Sequence, residues 1–252
     1  MKILAINASH RGEKGFTQFL INQIRSGVID AGSEFETIVL NKYKINQCLG
    51  CELCHTEKSY LKCIYEDKDD MKGILEEMSK ADIIIYATPI HVFNMSGLMK
   101  NFIDRFNSTG DISKVTVSKK GIFFHHINAN ICSKPFVILT SCGNIENEAS
   151  KSLVYYFKTF SRFMDAPMVG VLVRKSSFLL RNMDEKTIPK KAIILNAFRE
   201  AGRDLATKGT ISKKSKKHAE LNILQFPVLI KLLMKIRPLK STLVKSGLIK
   251  LK

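Results

Sequence analysis

The 252-residue sequence has no tryptophan, only six prolines, and 23 acidic residues against 40 Lys or Arg. No apolar run approaches the roughly 18 residues of a membrane-spanning helix, so no transmembrane segment is expected. No leader precedes the first apolar run at Ile3, which makes the cytoplasm the expected location, either free or peripheral to a membrane. Disulfides do not persist there, so the six cysteines need another role. Internal repeats are missing, which excludes solenoids and propellers. Neither G-x-x-x-x-G-K-[ST] nor G-x-G-x-x-G occurs, and the two best-known phosphate loops go with them. The shortage of acid is uneven. Residues 208–252 hold twelve Lys or Arg against Glu220 alone, so +11 of the net +17 belongs to the tail.

What is present suffices for a sizeable core, since 45% of residues are hydrophobic. The chain opens on Ile3-Leu-Ala-Ile6, an apolar run of the kind that forms a buried parallel strand. It breaks into a polar turn holding Asn7, Ser9, Arg11, Gly12, Gly15 and Thr17. Phe16, Phe19, Leu20, Gln23 and Ile24 then recur at helical spacing. A strand, a small-residue turn and a helix start make an anion site, because free N–H groups and the helix dipole face the turn. Ser9 and Thr17 add hydroxyl donors and Arg11 a charge. A plain strand-to-helix turn would look much the same, so the rest of the chain has to decide.

Further strands are expected at Phe35–Leu40, Ala81–Ala87, Pro135–Thr140 and Met168–Val173. Helices are expected from Asp69 or Asp70, as cap, to Lys80, and over 97–106, 146–164 and 190–207, while 107–134 reads as irregular. Strands alternating with helices give an α/β fold, a doubly wound five-stranded parallel sheet. Ligands of such sheets sit beyond the carboxyl ends of the strands, where strand order reverses. The loops starting at Asn7, Thr88 and Ser141 should therefore meet at one pocket.

A domain over 1–207 followed by a basic helical extension over 208–252 is expected. Ser212-Lys-Lys-Ser-Lys-Lys217 reads as a charged hinge. Ala219 to Ile236 reads as an amphipathic helix, broken or kinked at Pro227, that packs on the core, on a second subunit or on an anionic membrane surface. Few aromatics and a single arginine, Arg237, argue against nucleic acid.

Three stretches resemble the flavodoxin-like NAD(P)H-dependent FMN reductases, a family that includes the iron–sulfur flavoproteins. Ser9-x-Arg11 with Gly15-Phe16-Thr17 is similar to their phosphate loop. Thr88-Pro-Ile-His-Val-Phe-Asn-Met-Ser-Gly97 followed by Lys100-x-Phe102-Ile-Asp104-Arg105 resembles their second flavin loop and helix. Cys48-x-Gly50-Cys51-x-x-Cys54 with Asp69-Asp70-Met71 resembles their cysteine loop. The likeness covers roughly residues 1–205. It implies that Ser9, Arg11, Phe16 (by its backbone) and Thr17 hold the FMN phosphate. Pro89, Ile90, His91, Val92 and Asn94 would border the ring and ribityl chain, with Cys142 and Gly143 approaching from the third loop. Asp104 and Arg105 are expected to cap their helix and staple it to the core. His91 is expected either to line the ring or to face solvent.

Cys48-x2-Cys51-x2-Cys54-x8-Cys63, within a loop over 43–66, places three thiols at i, i+3 and i+6 and a fourth within ten residues. That spacing can wrap a metal cluster, and zinc or free thiols remain alternatives. The resemblance implies a [4Fe–4S] cluster for the iron–sulfur branch. Hydride transfer from a nicotinamide to a flavin asks little of side chains, so no catalytic acid or base is assigned. The expected activity is FMN-dependent oxidation of NAD(P)H by a quinone, nitro compound, flavin or protein acceptor, in a homo-oligomer. The alternative is an iron–sulfur electron carrier fed by a ferredoxin-like donor. A binding module that works through its basic tail is the third reading.

Overall fold

Each of the five expected apolar runs becomes a strand of one parallel sheet in the computed structural model, which describes residues 1–182, 190–223 and 236–245. The strands are β1 (Lys2–Asn7), β2 (Glu34–Val39), β3 (Ile83–Pro89), β6 (Phe136–Ser141) and β7 (Met168–Arg174), in the order β2-β1-β3-β6-β7. This is the flavodoxin-like order, with the switch point between β1 and β3. The inner strands are buried on both faces by helices, which is why they show no polar alternation. Tyr86 of β3 packs on Phe136 and on Phe157 and Phe160 from the far layer, with ring centroids 5.4–5.9 Å apart.

The helices are α1 (Phe16–Asp30), α2 (Met71–Lys80), α3 (Gly97–Asp104), α4 (Ala129–Cys132), α5 (Glu148–Phe163), α6 (Ser177–Asn182), α7 (Lys191–Lys208) and α8 (Lys213–Ala219). The buried stripe of α1 is Leu20, Ile21, Ile24 and Val28, while Phe16 and Phe19 sit half-buried at its rim. Helices α1 and α7 cross at bare backbone. A Cβ on Gly27 would lie 1.8 Å from the Arg199 carbonyl oxygen, and one on Gly202 would lie 2.1 Å from that of Ile24.

Residues 107–134, expected to be irregular, instead carry an antiparallel ribbon, β4 (Gly110–Val117) with β5 (Phe123–Ile127), followed by α4. From Ile112 to Val117 β4 is solvent-exposed, and its register shifts between Asp111 and Val115. No in-and-out alternation could therefore mark it in the sequence.

The first compact unit runs Met1–Leu221. The lysine-rich stretch expected to be a hinge is helix α8, capped by Ser212, whose hydroxyl accepts from Ser215 N. This segment covers the open edge of β7. Ile211 N donates to Val169 O at 3.0 Å, Lys216 Nζ to Val171 O at 2.7 Å, and Glu220 Oε1 accepts from Val173 N at 3.0 Å. Those contacts occupy groups that a further strand would otherwise claim. In the second unit, Asn222–Lys252, the described helix is Arg237–Lys245. Most of the helix expected over 219–236 lies outside the described residues; Ala219 ends α8 instead of starting a new helix. Among the described residues no helix is long and apolar enough to cross a membrane.

Candidate functional site

The three loops beyond β1, β3 and β6 are tied to one another by short hydrogen bonds. Asn7 is fully buried at the end of β1. Its Oδ1 accepts from Ser9 N at 2.9 Å and its Nδ2 donates to Gln18 Oε1 at 2.8 Å, which fixes the turn against α1. Ser96, buried at the start of α3, donates to Ala8 O at 2.7 Å and accepts from Met99 N as N-cap. Ser96 N in turn donates to Thr88 Oγ1 at 3.0 Å. Ile90 N donates to Ser141 O at 2.9 Å, joining the second loop to the third. The sequence motif contained Ser96, but its bond to a carbonyl 88 residues away left no local signal.

The first turn of α1 has no side-chain cap, and Ser9 and Thr17 are buried beside it. A Cβ on Gly15 would lie 2.7 Å from Ser9 Oγ, so a side chain at the helix entry would displace the Ser9 hydroxyl. Uncapped N–H groups flanked by two hydroxyls suit a phosphate. Arg11 is exposed at the mouth of this turn. The residues present fit the phosphate end of an FMN.

Above the second loop, His91 is exposed and stacks on His10 of the first loop, with ring centroids 5.9 Å apart and planes 12° from parallel. His91 and Asn94 close a tight turn through His91 N to Asn94 O at 2.8 Å. Val92 and Phe93 at its tip take φ of 45° and 67° and are 89% and 62% exposed. A β-branched residue in left-handed backbone is strained, and such strain clusters at ligand sites. Ser152 Oγ of α5 donates to Phe93 O and holds the turn in place. Phe93 is an apolar edge that the sequence motif did not single out. On the third loop Cys142 is buried, and burial pushes its thiol pKa up; Gly143 is exposed.

The cysteine loop lies at the other end of α3. Cys48, Cys51, Cys54 and Cys63 are free thiols lining one small pocket, together with Tyr65, Arg105 and Asn107. Burial, then the neighbouring Cys63, Cys48 and Cys51, push the Cys54 thiol up. Among the described residues no three His, Cys, Asp or Glu side chains come together as a single-ion site. Four thiolates around one zinc, each at about 2.3 Å, would stand about 3.8 Å apart. The four thiols line one pocket without forming such a set, and thiolates are the ligand type that iron–sulfur clusters take.

Arg105 ties the end of α3 to the protein as expected, through the start of α2 and the cysteine loop. It reaches into the cysteine pocket, pairs with Asp69 in a fully buried ion pair, and donates to Asn46 O at 2.9 Å. Asp69 also accepts from Asn46 N at 3.0 Å and Met71 N at 3.1 Å, so one carboxylate joins the start of α2 to the start of the cysteine loop. Burial pushes the Asp69 carboxyl up, but these hydrogen bonds outweigh it and hold it below its ordinary value. Asp104, half exposed, pairs with Lys100 one turn earlier.

The chain spans about half the length of the curated relatives it matches. An iron–sulfur flavoprotein of Archaeoglobus fulgidus is 42% identical over 105 residues, which is 42% of this chain and 48% of that protein. One from Methanocaldococcus jannaschii is 35% identical over 106 residues, 42% of this chain and 51% of that protein. Among solved structures, an FMN-dependent NADH-azoreductase from Bacillus anthracis in complex with FMN superposes with a TM-score of 0.59 at 16% identity. That match covers 82% of this chain and 99% of the azoreductase, and it supports the flavodoxin-like fold. The profile of the NADPH-dependent FMN reductases matches residues 1–161, well over half of the chain. With the switch-point loops built as described, the chain belongs to the NADPH-dependent FMN reductase family.

Proposed function

We propose that the chain is an FMN oxidoreductase that takes electrons from NAD(P)H and passes them to a small-molecule or protein acceptor. One observation carries this reading: three loops locked together beside an uncapped helix N-terminus at the sheet's switch point. The N–H groups of Phe16 and Thr17, with the hydroxyls of Ser9 and Thr17 and the charge of Arg11, hold the phosphate. Pro89, Ile90 and Asn94 present backbone and amide groups to the edge of the ring. Cys142 and Gly143 border it from the third loop. His91, Val92 and Phe93 form a wall that orients a flat ring and limits water on one side. Bound FMN supplies the hydride chemistry. The chain's own work is to orient two rings and leave one face open, and no side chain has to move a proton.

Val92, Phe93, Val117, Phe123 and Tyr155 are large apolar residues exposed to solvent, and a homo-oligomer would cover some of them. Anaerobic purification followed by mixing with NADPH or NADH is the test. The expected result is a bound flavin whose visible band bleaches within the mixing time. A colourless protein that refuses added FMN at micromolar concentration would overturn the assignment.

The shared pocket of Cys48, Cys51, Cys54 and Cys63 favours a second reading, in which these thiols hold a [4Fe–4S] cluster. The relatives named iron–sulfur flavoproteins support it. In this reading the chain is an electron carrier with a ferredoxin-like donor. Flavin that does not bleach with either nucleotide, but reduces with such a donor, would select it.

A further inference from the structure

Arg105 has a buried polar atom without a partner. Its side chain is 2% exposed, and Nε makes no hydrogen bond although the guanidinium spends other donors on Asp69 and Asn46 O. It is the single such atom among the buried side-chain nitrogens and oxygens of the described residues. A buried donor left unpaired is costly, and more so on a charged group. The guanidinium carbon also lies 5.5 Å from the centre of the Tyr65 ring. It lines the same pocket as all four cysteines. A cation with an idle donor in a thiol-lined pocket is matched to an acceptor that is anionic and made of sulfur.

We propose that Arg105 is the charge-compensating residue of the cysteine pocket, with Nε–H reserved for a sulfur of the bound [4Fe–4S] cluster and Asp69 trimming its positive charge. This rests on the cluster reading of the four cysteines. Reduction adds one electron to a site already bearing net negative charge. A buried cation favours that step, and the neighbouring carboxylate opposes it. Arg105 is a positioning residue and touches no substrate.

The experiment uses the full-length protein purified anaerobically, as wild type, Arg105→Gln, Arg105→Lys and Asp69→Asn. Iron and sulfide content are measured, and the cluster is titrated with dithionite under EPR detection. At the potential that half-reduces the wild type, Arg105→Gln should lower the reduced-to-oxidised ratio at least about tenfold, which is about 59 mV for one electron. Asp69→Asn should raise the ratio, and Arg105→Lys should fall between wild type and Arg105→Gln. A residue that merely held the loop would lower iron content in both variants without shifting them in opposite directions. Shifts of the same sign, or variants with full iron that titrate within about twofold of wild type, overturn the proposal. If Arg105→Gln does not fold, Asp69→Asn and Arg105→Lys decide by the same opposite signs. A wild type that takes up no iron refutes the cluster reading and this proposal with it; a wild type with a cluster and unmoved variants refutes the role of Arg105 alone.

Discussion

Replacing Ser96 by alanine removes one hydroxyl that the site uses in three ways. Ser96 Oγ accepts from Met99 N as the cap of α3, donates to the Ala8 carbonyl at 2.7 Å, and lies 3.2 Å from Thr88 Oγ1. Loss of a helix cap costs about 1 kcal/mol. Ala8 is fully buried, so its carbonyl would lose a donor that water cannot replace, at about 1–3 kcal/mol. The two together give about 2–4 kcal/mol. With an m-value of about 2–3 kcal/mol per M in urea, the unfolding midpoint should fall by about 1 M. Flavin affinity should fall too, because this hydroxyl is the bolt between the first and second loops. Urea unfolding followed by far-ultraviolet circular dichroism gives the stability, and quenching of FMN fluorescence gives the affinity. A midpoint lowered by less than about 0.2 M at unchanged m corresponds to under about 0.6 kcal/mol and would refute the bridging role of Ser96. A large stability loss with undiminished FMN affinity would show that the two loops need no bolt.

Three further outcomes are expected. Thr17→Val keeps the shape and loses one donor to the phosphate; a hydrogen bond to a charged group is about 1.5–3 kcal/mol, so FMN should bind about 10- to 100-fold more weakly while riboflavin is unaffected. Calorimetric titration that finds equal losses for both ligands would remove the phosphate from α1. Gly202→Ala places a Cβ 2.1 Å from the Ile24 carbonyl oxygen, so α1 and α7 must separate, at about 1–3 kcal/mol or more, and the melting temperature should drop by several degrees. An unchanged melting temperature would mean that the helices do not cross so closely. Asp204 accepts from Ser212 N and Ser215 Oγ and pairs with Lys208. Burial raises its pKa, but these partners outweigh burial and bring it from 3.8 down to about 2. A depressed carboxyl stabilises the fold above its unfolded value and loses that contribution as pH falls from about 4 through 2. Asp204→Asn should therefore be less stable at pH 7 and show a flatter stability profile between pH 4 and 2; parallel profiles would refute the role.

Much of the fold was legible because strands buried on both faces are written as apolar runs, as at Ile83–Ile85 and Val137–Leu139. The site loops were legible through the motif from Thr88 to Arg105, which places its small and polar residues at the end of a strand and the start of a helix. The misreadings have physical causes. The ribbon β4–β5 carries exposed Ile112, Val115 and Val117, so solvation left no periodic mark on it. Helix α8 is seven residues long and rich in lysine, and it reads as a hinge until Lys216 is seen bonded to Val171 O at the sheet edge. Arg105 was legible as the residue that ties down its helix, but its partner was not, because Asp69 lies 36 residues earlier, on a loop the sequence could not fold back.

Helix α3 links the loops beyond the sheet to the cysteine pocket. Its eight residues rise about 12 Å. Ser96 at its start belongs to the flavin loops, and Arg105 just past its end belongs to the cysteine pocket. Between them the helix buries Met99, Phe102 and Ile103 in the core and cannot rotate without breaking that packing. The geometry of one site is therefore tied to the other through a rigid body with a bond at each end. Loosening Ser96 should disturb the cysteine pocket only if α3 tilts as a unit. Losing the Arg105–Asp69 pair should leave the Ser96 to Ala8 bond intact, because the buried face of α3 is held from within the core.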